Sequence, residues 1–492
     1  MSRRKCVKNL ANKFKGLSPT EKMLHLAPIV IWFSYFPNFQ IGRGEGMNFE
    51  FSLPLIFAVI FALVGVFENW QNWKNLVRNR AVWLTGIFIF WNFLSVIWAE
   101  NPVRAFLVSG VWVVLWLDFL VILSLKNLSK ICKNLEKILI CSAFLMSILA
   151  IFQVIYGAFT DWGLCAGCLA RGFGFVRPSV FAIEPQFFGS LLLAPILLVW
   201  VKFLSGKKLS KFEFSALFVM LVAMYLTLSR GAIFALIPAM FLAIFVVKKS
   251  KTSLKRRLFS LIAILTLSFG FGMNLHAIFT ELNPRIADGY YDAVSKSVNQ
   301  LSLGKISLPK KSPPVDNSVE KPKINPENPP AVQPNNPPRK AIFDGYVARS
   351  TDERTKLSNL AIQTWLRDPQ TVLFGVGAGS AGRAIRQHTA QTGWDFEIVQ
   401  NEFLANLCEL GIVGFAIWVA IIAGFIWKTR AQKWLWAILL AFLIQWNFFS
   451  GLPNSLHIYL ILAVIFATIE RAYEEKSAIN RRIHSAPKKD RN

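Results

Sequence analysis

The chain is predicted to be an all-α, polytopic membrane protein, from its composition, the length of its apolar runs and the placement of its charge. Hydrophobic residues make up 54% of the 492 positions and charged residues only 17%, a balance foreign to a soluble globular chain of this length. Apolar runs recur at close to the roughly 20 residues needed to cross a roughly 30 Å hydrocarbon layer. They are too long for barrel strands, so helices must satisfy their backbone hydrogen bonds inside lipid.

In chain order, twelve spans are expected, at residues 22–36, 52–68, 82–99, 105–125, 137–157, 183–201, 213–229, 231–247, 257–275, 403–427, 434–450 and 456–470. Pro37 cuts the first short, and polar residues interrupt the eleventh.

The formal net charge of +26 raises nucleic acid as a partner, but where the charge sits decides more than its size. Along this twelve-span path, "MSRRKCVKNLANKFKG", "NWKNLVRNR", "KNLSKICKNLEK", "KKLSK", "KKSKTSLKRR", "KTRAQK" and "RRIHSAPKKDRN" all fall on one side. Positive charge collects on the cytoplasmic side of membrane proteins. The basic N-terminus (1–21) and tail (471–492) are therefore expected in the cytoplasm, the partner is a lipid bilayer, and nucleic acid is not a partner. No small-residue cleavage site follows the basic start, so the first span is expected to stay.

Spans one to nine occupy 22–275 and spans ten to twelve 403–470, which leaves 276–402 as one large loop on the opposite side. Within it, residues 303–340 are dense in Pro, Asn and Lys, a composition that precludes a packed core and reads as a disordered spacer. Residues 351–366 place Leu357, Leu360, Ile362 and Trp365 roughly along one helical face and stop before Pro369, the pattern of an amphipathic helix on the outer membrane surface. "FGVGAGSAG", residues 374–382, lacks the strand and parallel sheet of a dinucleotide site. It is expected to be a flexible turn, with a backbone N–H concavity for phosphate as the alternative.

Chemistry is sought where polar residues are out of place. Cys165 and Cys168, in the "CAGC" of an outer loop, lie where the compartment allows a disulfide, the reading favoured over free thiols. Basic residues are scarce in the short outer loops: Arg43, Arg104, Arg171, Arg177 and Arg230. Arg230, in "TLSRGAIFAL", sits where the seventh span emerges and the eighth re-enters, with Gly231 easing the reversal. Arginine at that depth is costly unless it meets an anion; the blander reading is that it snorkels to headgroups.

Arg177 and Glu184 follow in "RPSVFAIEPQFFGS", where Glu184 shares the boundary of Arg230 and either pairs with it or takes part in catalysis. Arg354, flanked by Arg349 and Lys356, opens the amphipathic helix with a guanidinium fork suited to phosphate. In "EIVQNEFLANLCELGIVG", residues 397–414, helical spacing puts Glu402, Asn406 and Glu409 on one polar stripe against Phe403, Leu404, Leu407 and Leu410. That stripe must face protein or water, not lipid.

Together, the span count, the SRG-type Arg230, the loop helix with Arg354 then Trp365, the "GVGAG" turn and the amide-rich lead into "ELGIVG" resemble the O-antigen ligase and polymerase superfamily. The resemblance is strongest from about residue 213 to 427. It implies a glycosyltransferase C-like helical fold in the bacterial cytoplasmic membrane. It also implies transfer of a glycan from a polyprenyl diphosphate, such as undecaprenyl diphosphate, to a glycan, lipid or protein acceptor hydroxyl at the outer face. Such a surface-polysaccharide ligase or polymerase of the cell envelope would use no metal and no cofactor. By the same resemblance Arg230 and Arg354, with Arg177 beside them, bind the diphosphate.

The family's usual histidine is replaced by Gln400, followed by Asn401. An amide has no useful proton affinity near neutrality and only orients a hydroxyl by hydrogen bonding. The base is then sought among Glu402, Glu184 and His388, with Glu402 preferred. The rival class is a polysaccharide flippase or other transporter, for which internal repeats and broken helices near mid-membrane are the usual marks; no repeat is evident. A scaffold role has only the Pro-rich insert in its favour.

Overall fold

The computed structural model describes residues 16–41, 49–76, 79–125, 128–160, 169–172, 175–182, 184–247, 253–282, 346–389, 399–449 and 456–485. The Cys165–Cys168 pairing and the 303–340 spacer lie outside the described residues.

A helix occupies the place of every predicted span. They are α1 (Pro19–Val30), α2 (Leu53–Asn69), α3 (Arg80–Leu94), α4 (Pro102–Ser124), α5 (Leu128–Phe159), α6 (Pro185–Leu204), α7 (Lys211–Leu226), α8 (Arg230–Val246) and α9 (Leu254–Leu282). The large loop then supplies α10 (Tyr346–Trp365), α11 (Pro369–Phe374) and α12 (Ala381–Thr389), and α13 (Glu402–Thr429), α14 (Leu435–Gln445) and α15 (Leu456–Ser485) complete the order. Seven of these, α3 with its short extension, α4, α5, α6, α9, α13 and α15, are long and apolar enough to cross a membrane. The protein is thus a mostly helical, multi-pass membrane protein.

The helices α1 and α14 have 12 and 11 residues. At 1.5 Å per residue each is under about 20 Å long, short of the hydrocarbon layer. These are the two spans that Pro37 and the polar residues shorten.

Local sequence explains the starts. Ser18 and Glu21 form a reciprocal capping box before α1, as Ser210 and Glu213 do before α7. At the other end of the bundle α2, α4 and α6 carry proline in their first turn, where a missing N–H costs nothing.

The helix α6, apolar apart from Gln186 and Ser190 over its first thirteen residues, is buried from Pro185 through Leu197, packing against α5, α7, α8 and α14. A helix without a polar face belongs at the centre of a bundle. Beside it, α8 and α14 approach closely through small residues, with Ala232, Ala235, Ala239, Ala243, Ala437 and Ala441 all fully buried. Small side chains let helices gain van der Waals contact where lipid offers little hydrophobic drive.

The all-α expectation omits two short antiparallel hairpins. β1 (Asn38–Ile41) pairs with β2 (Phe49–Ser52), and β3 (Leu169–Gly172) pairs with β4 (Phe175–Pro178), Ala170 opposite Arg177. Both lie between helices at the end of the bundle that carries the large loop, here the site end; the opposite end is the basic end.

Candidate active site

The reversal between α7 and α8 sets the first wall. Leu228 takes φ +47° and Ser229 caps α8 through its hydroxyl to Ala232 N–H, which leaves Arg230 at the first helical position. Arg177, delivered by β4, donates from Nε to the Thr227 carbonyl at 2.9 Å and from Nη2 to the Leu228 carbonyl at 3.5 Å. Arg177 therefore braces the turn that presents Arg230.

Arg354 comes from α10 and donates from Nη2 to Gln186 Oε1 at 3.0 Å. Gln186 lies in the first turn of α6, one turn before Gly189, whose missing side chain makes room for Ala232 and Ser229. Three arginines from three separate elements thus meet the adjoining ends of α6, α7 and α8. Glu184 is exposed just ahead of α6, and among the described residues it forms no ion pair; the expected pairing with Arg230 is not formed.

Glu402 closes the other side. Its N–H donates to the Trp446 carbonyl at 2.8 Å, and two residues on from Trp446, Phe448 packs against Gly231 beside Arg230. The Glu402 carboxylate is buried; its Oε1 accepts the Tyr459 hydroxyl at 2.6 Å and Asn406 Nδ2 at 3.3 Å. Tyr459 belongs to α15, as does His457, whose Nε2 lies 2.8 Å from Ser190 Oγ of α6. The predicted stripe faces protein: Glu402, Asn406 and Glu409 line a polar cavity of about 40 Å³ with Asn92 and Arg104.

The two amides behave differently. Asn401 Oδ1 accepts the Phe403 and Leu404 N–H groups at 3.0 and 3.1 Å, so its oxygen caps α13. Gln400 Oε1 is buried and finds no hydrogen-bond partner among the described residues.

Why a membrane helix begins with this polar stretch is answered by a break inside α13. Gly411 sits at φ +65° and is not helical, so residues 402–410 form a separate short helix ahead of the apolar remainder. The break frees carbonyls, and each finds a donor: Cys408 accepts from Val376 N–H at 3.0 Å, Glu409 from Gly377 N–H at 2.9 Å and Leu410 from Trp91 Nε1 at 3.1 Å.

The "GVGAG" turn is therefore packed into the break, and the flexible-turn reading gives way to it. Gly375, Gly377 and Gly379 all have positive φ. A Cβ on Gly375 would stand 2.3 Å from the Glu409 carbonyl oxygen, and one on Gly411 2.3 Å from that of Leu373. The phosphate concavity fails for the same reason: Ala378 N–H donates to Ser95 Oγ and Gly379 N–H to Glu409 Oε2 at 2.7 Å, so protein acceptors take these donors.

The loop helix α10 places Leu357, Ala361 and Thr364 inward and Ile362 outward. It packs on α12 and the first half of α13, so its inward face meets protein, while Ile362 and Leu366 stay exposed on the other. His388 stands in an exposed cluster with Arg367 and Glu100, its Nε2 at 3.3 Å from Glu100 Oε1. Tyr459, Gln186, Trp446 and His457 were missed by sequence reasoning. Each sits inside or beside an apolar run, and only the polar atom among hydrophobic neighbours marks it.

Residues 215–419 match the family model described as O-antigen ligase. Among curated proteins none matches the chain significantly.

Proposed function

We infer, from a chain related to the O-antigen ligase and polymerase family through residues 215–419, that it transfers a glycan from a polyprenyl diphosphate to an acceptor hydroxyl. The site end would face outward, with both termini cytoplasmic, in a bacterial inner or plasma membrane. The fold would be of the glycosyltransferase C-like kind. The observation that carries the reading is the meeting of Arg177, Arg230 and Arg354 with the buried Glu402 at the end of one helix bundle.

In the proposed step the acceptor oxygen bonds to the sugar anomeric carbon as its bond to the phosphate oxygen breaks. Arg230 and Arg354 meet the negative charge that grows on the departing diphosphate, an interaction stronger in the transition state than before it. They would do so without a divalent ion. Gln400 Oε1, buried and without a partner among the described residues, accepts from a neighbouring hydroxyl of the acceptor and so orients it, leaving the reacting hydroxyl to donate to Glu402. The proton passes to the Glu402 carboxylate, which Tyr459 and Asn406 hold in place. Glu184 is the weaker candidate because it is exposed and unanchored.

The broken α13 favours a second reading, a flippase, since discontinuous helices mark the substrate sites of transporters. Its freed carbonyls, however, accept from Trp91, Val376 and Gly377, which leaves the break serving the fold. The test is transfer by purified protein from a polyprenyl-diphosphate glycan to candidate acceptors, with and without EDTA. Transfer lost in Arg230→Ala and Arg354→Ala but indifferent to EDTA is expected; full transfer in both variants would sink the site, and movement of intact donor across vesicles without transfer would favour the flippase.

A further inference from the structure

A cleft lies at the basic end of the bundle, away from the arginines described above. It has a volume of about 700 Å³ and lies between the end of α6, the 205–210 turn, and the starts of α7 and α9. Lys207, Lys208, Lys211, Arg256 and Arg257 line it, and among the described residues no acidic one does. Glu213, the acid beside it, is already engaged: it accepts from Lys202 and, through Oε2, from the Ser210 N–H at 2.9 Å and hydroxyl at 3.0 Å. Arg257 is fixed by donating from Nη1 to the Ile244 and Val247 carbonyls at 2.7 and 3.2 Å.

The cleft is also bordered by apolar surface. Phe203 and Phe214 are part of its lining and are themselves substantially exposed. Four exposed cations, Lys207, Lys208, Lys211 and Arg256, with no acidic partner among the described residues, next to phenyl rings that face the surroundings, fit a ligand with an anionic head and hydrocarbon tails. Basic pockets between membrane helices on the cytoplasmic side bind lipid headgroups on this principle.

We propose that this cleft binds the phosphate headgroup of an anionic phospholipid, with its acyl chains over Phe203 and Phe214. General attraction of basic loops to an anionic leaflet is separable from it, because Lys130, Lys133 and Lys137, also exposed on the same end, are not part of this cleft. The site is independent of the transfer chemistry and tests separately from it.

The experiment titrates the detergent-purified full chain with phosphatidylglycerol, phosphatidylcholine or inorganic phosphate and reads bound lipid by native mass spectrometry. The triple variant Lys207→Gln, Lys208→Gln, Lys211→Gln should bind phosphatidylglycerol roughly 100-fold more weakly, from the loss of three near-surface charges. The matching Lys→Arg triple should bind as the wild type does, and the Lys130→Gln, Lys133→Gln, Lys137→Gln triple should lose little. Equal losses in the two Gln triples, equal retention of phosphatidylcholine, or inorganic phosphate binding as tightly as phosphatidylglycerol would each overturn the proposal.

Discussion

Positive charge is used in opposite ways at the two ends of the bundle. At the basic end Lys207, Lys208, Lys211 and Arg256 are exposed, and their collective field, more than any one contact, biases how the chain sits in a membrane. At the site end two arginines are immobilised: Arg177 on the carbonyls of Thr227 and Leu228, Arg354 on the amide of Gln186. A guanidinium already held by fixed partners needs no reorganisation when charge develops beside it. Charge at one end acts through number, and at the other through placement.

The largest break in that comparison should come from Arg230→Ala and Arg354→Ala. Losing one preorganised donor to a developing oxyanion costs about 100- to 1,000-fold in kcat, so each variant should fall by that factor at saturating donor. Arg354→Lys should recover little, because an ammonium does not reproduce a planar two-donor fork. The Lys207, Lys208, Lys211 triple should transfer at the wild-type rate. Equal damage from both sets would erase the distinction between number and placement.

Next in size is the interlock between the glycine-rich turn and the break in α13. Gly411→Ala puts a methyl group 2.3 Å from the Leu373 carbonyl oxygen at a backbone φ of +65°, and neither segment can yield without losing its hydrogen bonds. Strain plus displacement should cost about 3 kcal/mol or more, read as a fall in the melting temperature of the purified protein. Gly424→Ala, in the same helix with open space around it, should leave the melting temperature unchanged or slightly raised.

These two variants also mark where sequence stops speaking. The run of apolar residues announces the spans, and the Glu402, Asn406, Glu409 spacing announces a stripe that must avoid lipid, because both signals are local. The break at Gly411 is not local: its carbonyls are met by the N–H groups of Val376 and Gly377, more than thirty positions earlier. Arg177 and Arg230 stand out through scarcity and Arg354 through its place at the start of an amphipathic helix, but Gln186 and Tyr459, which hold Arg354 and Glu402, look like ordinary members of apolar helices. Polar partners read poorly when the pairing is set by packing.

Tyr459→Phe tests such a partner with a smaller expected effect. It removes the hydroxyl that donates to Glu402 Oε1 at 2.6 Å while keeping the ring against Trp112 and Trp446. A hydrogen bond to a charged group is worth about 1.5–3 kcal/mol of stability, so the melting temperature should fall measurably, and kcat of the folded protein should drop by up to roughly 10- to 100-fold as the carboxylate loses its anchor. An unaltered kcat would remove Tyr459 from the site.

The smallest effect should come from an arginine that is held but exposed. Arg367 Nε donates to Asp368 Oδ2 at 2.7 Å, and this hydrogen bond, aided by the Thr371 N–H on Oδ1 at 2.8 Å, holds the Asp368 carboxyl below the usual carboxylate range. A depressed pKa contributes stability that is fully present above the unfolded value of about 3.9 and is lost as pH falls through the folded value. Asp368→Asn keeps a good cap for α11 and removes only the charge, so the loss near neutrality should be no more than about 1 kcal/mol. The gap in melting temperature between the two proteins should close in acid and shrink with added salt. A gap that persists below about pH 3 would assign the effect to the cap. Immobilising an arginine in water would then be shown to contribute little, and burial beside the reacting groups would be what distinguishes Arg354 from Arg367.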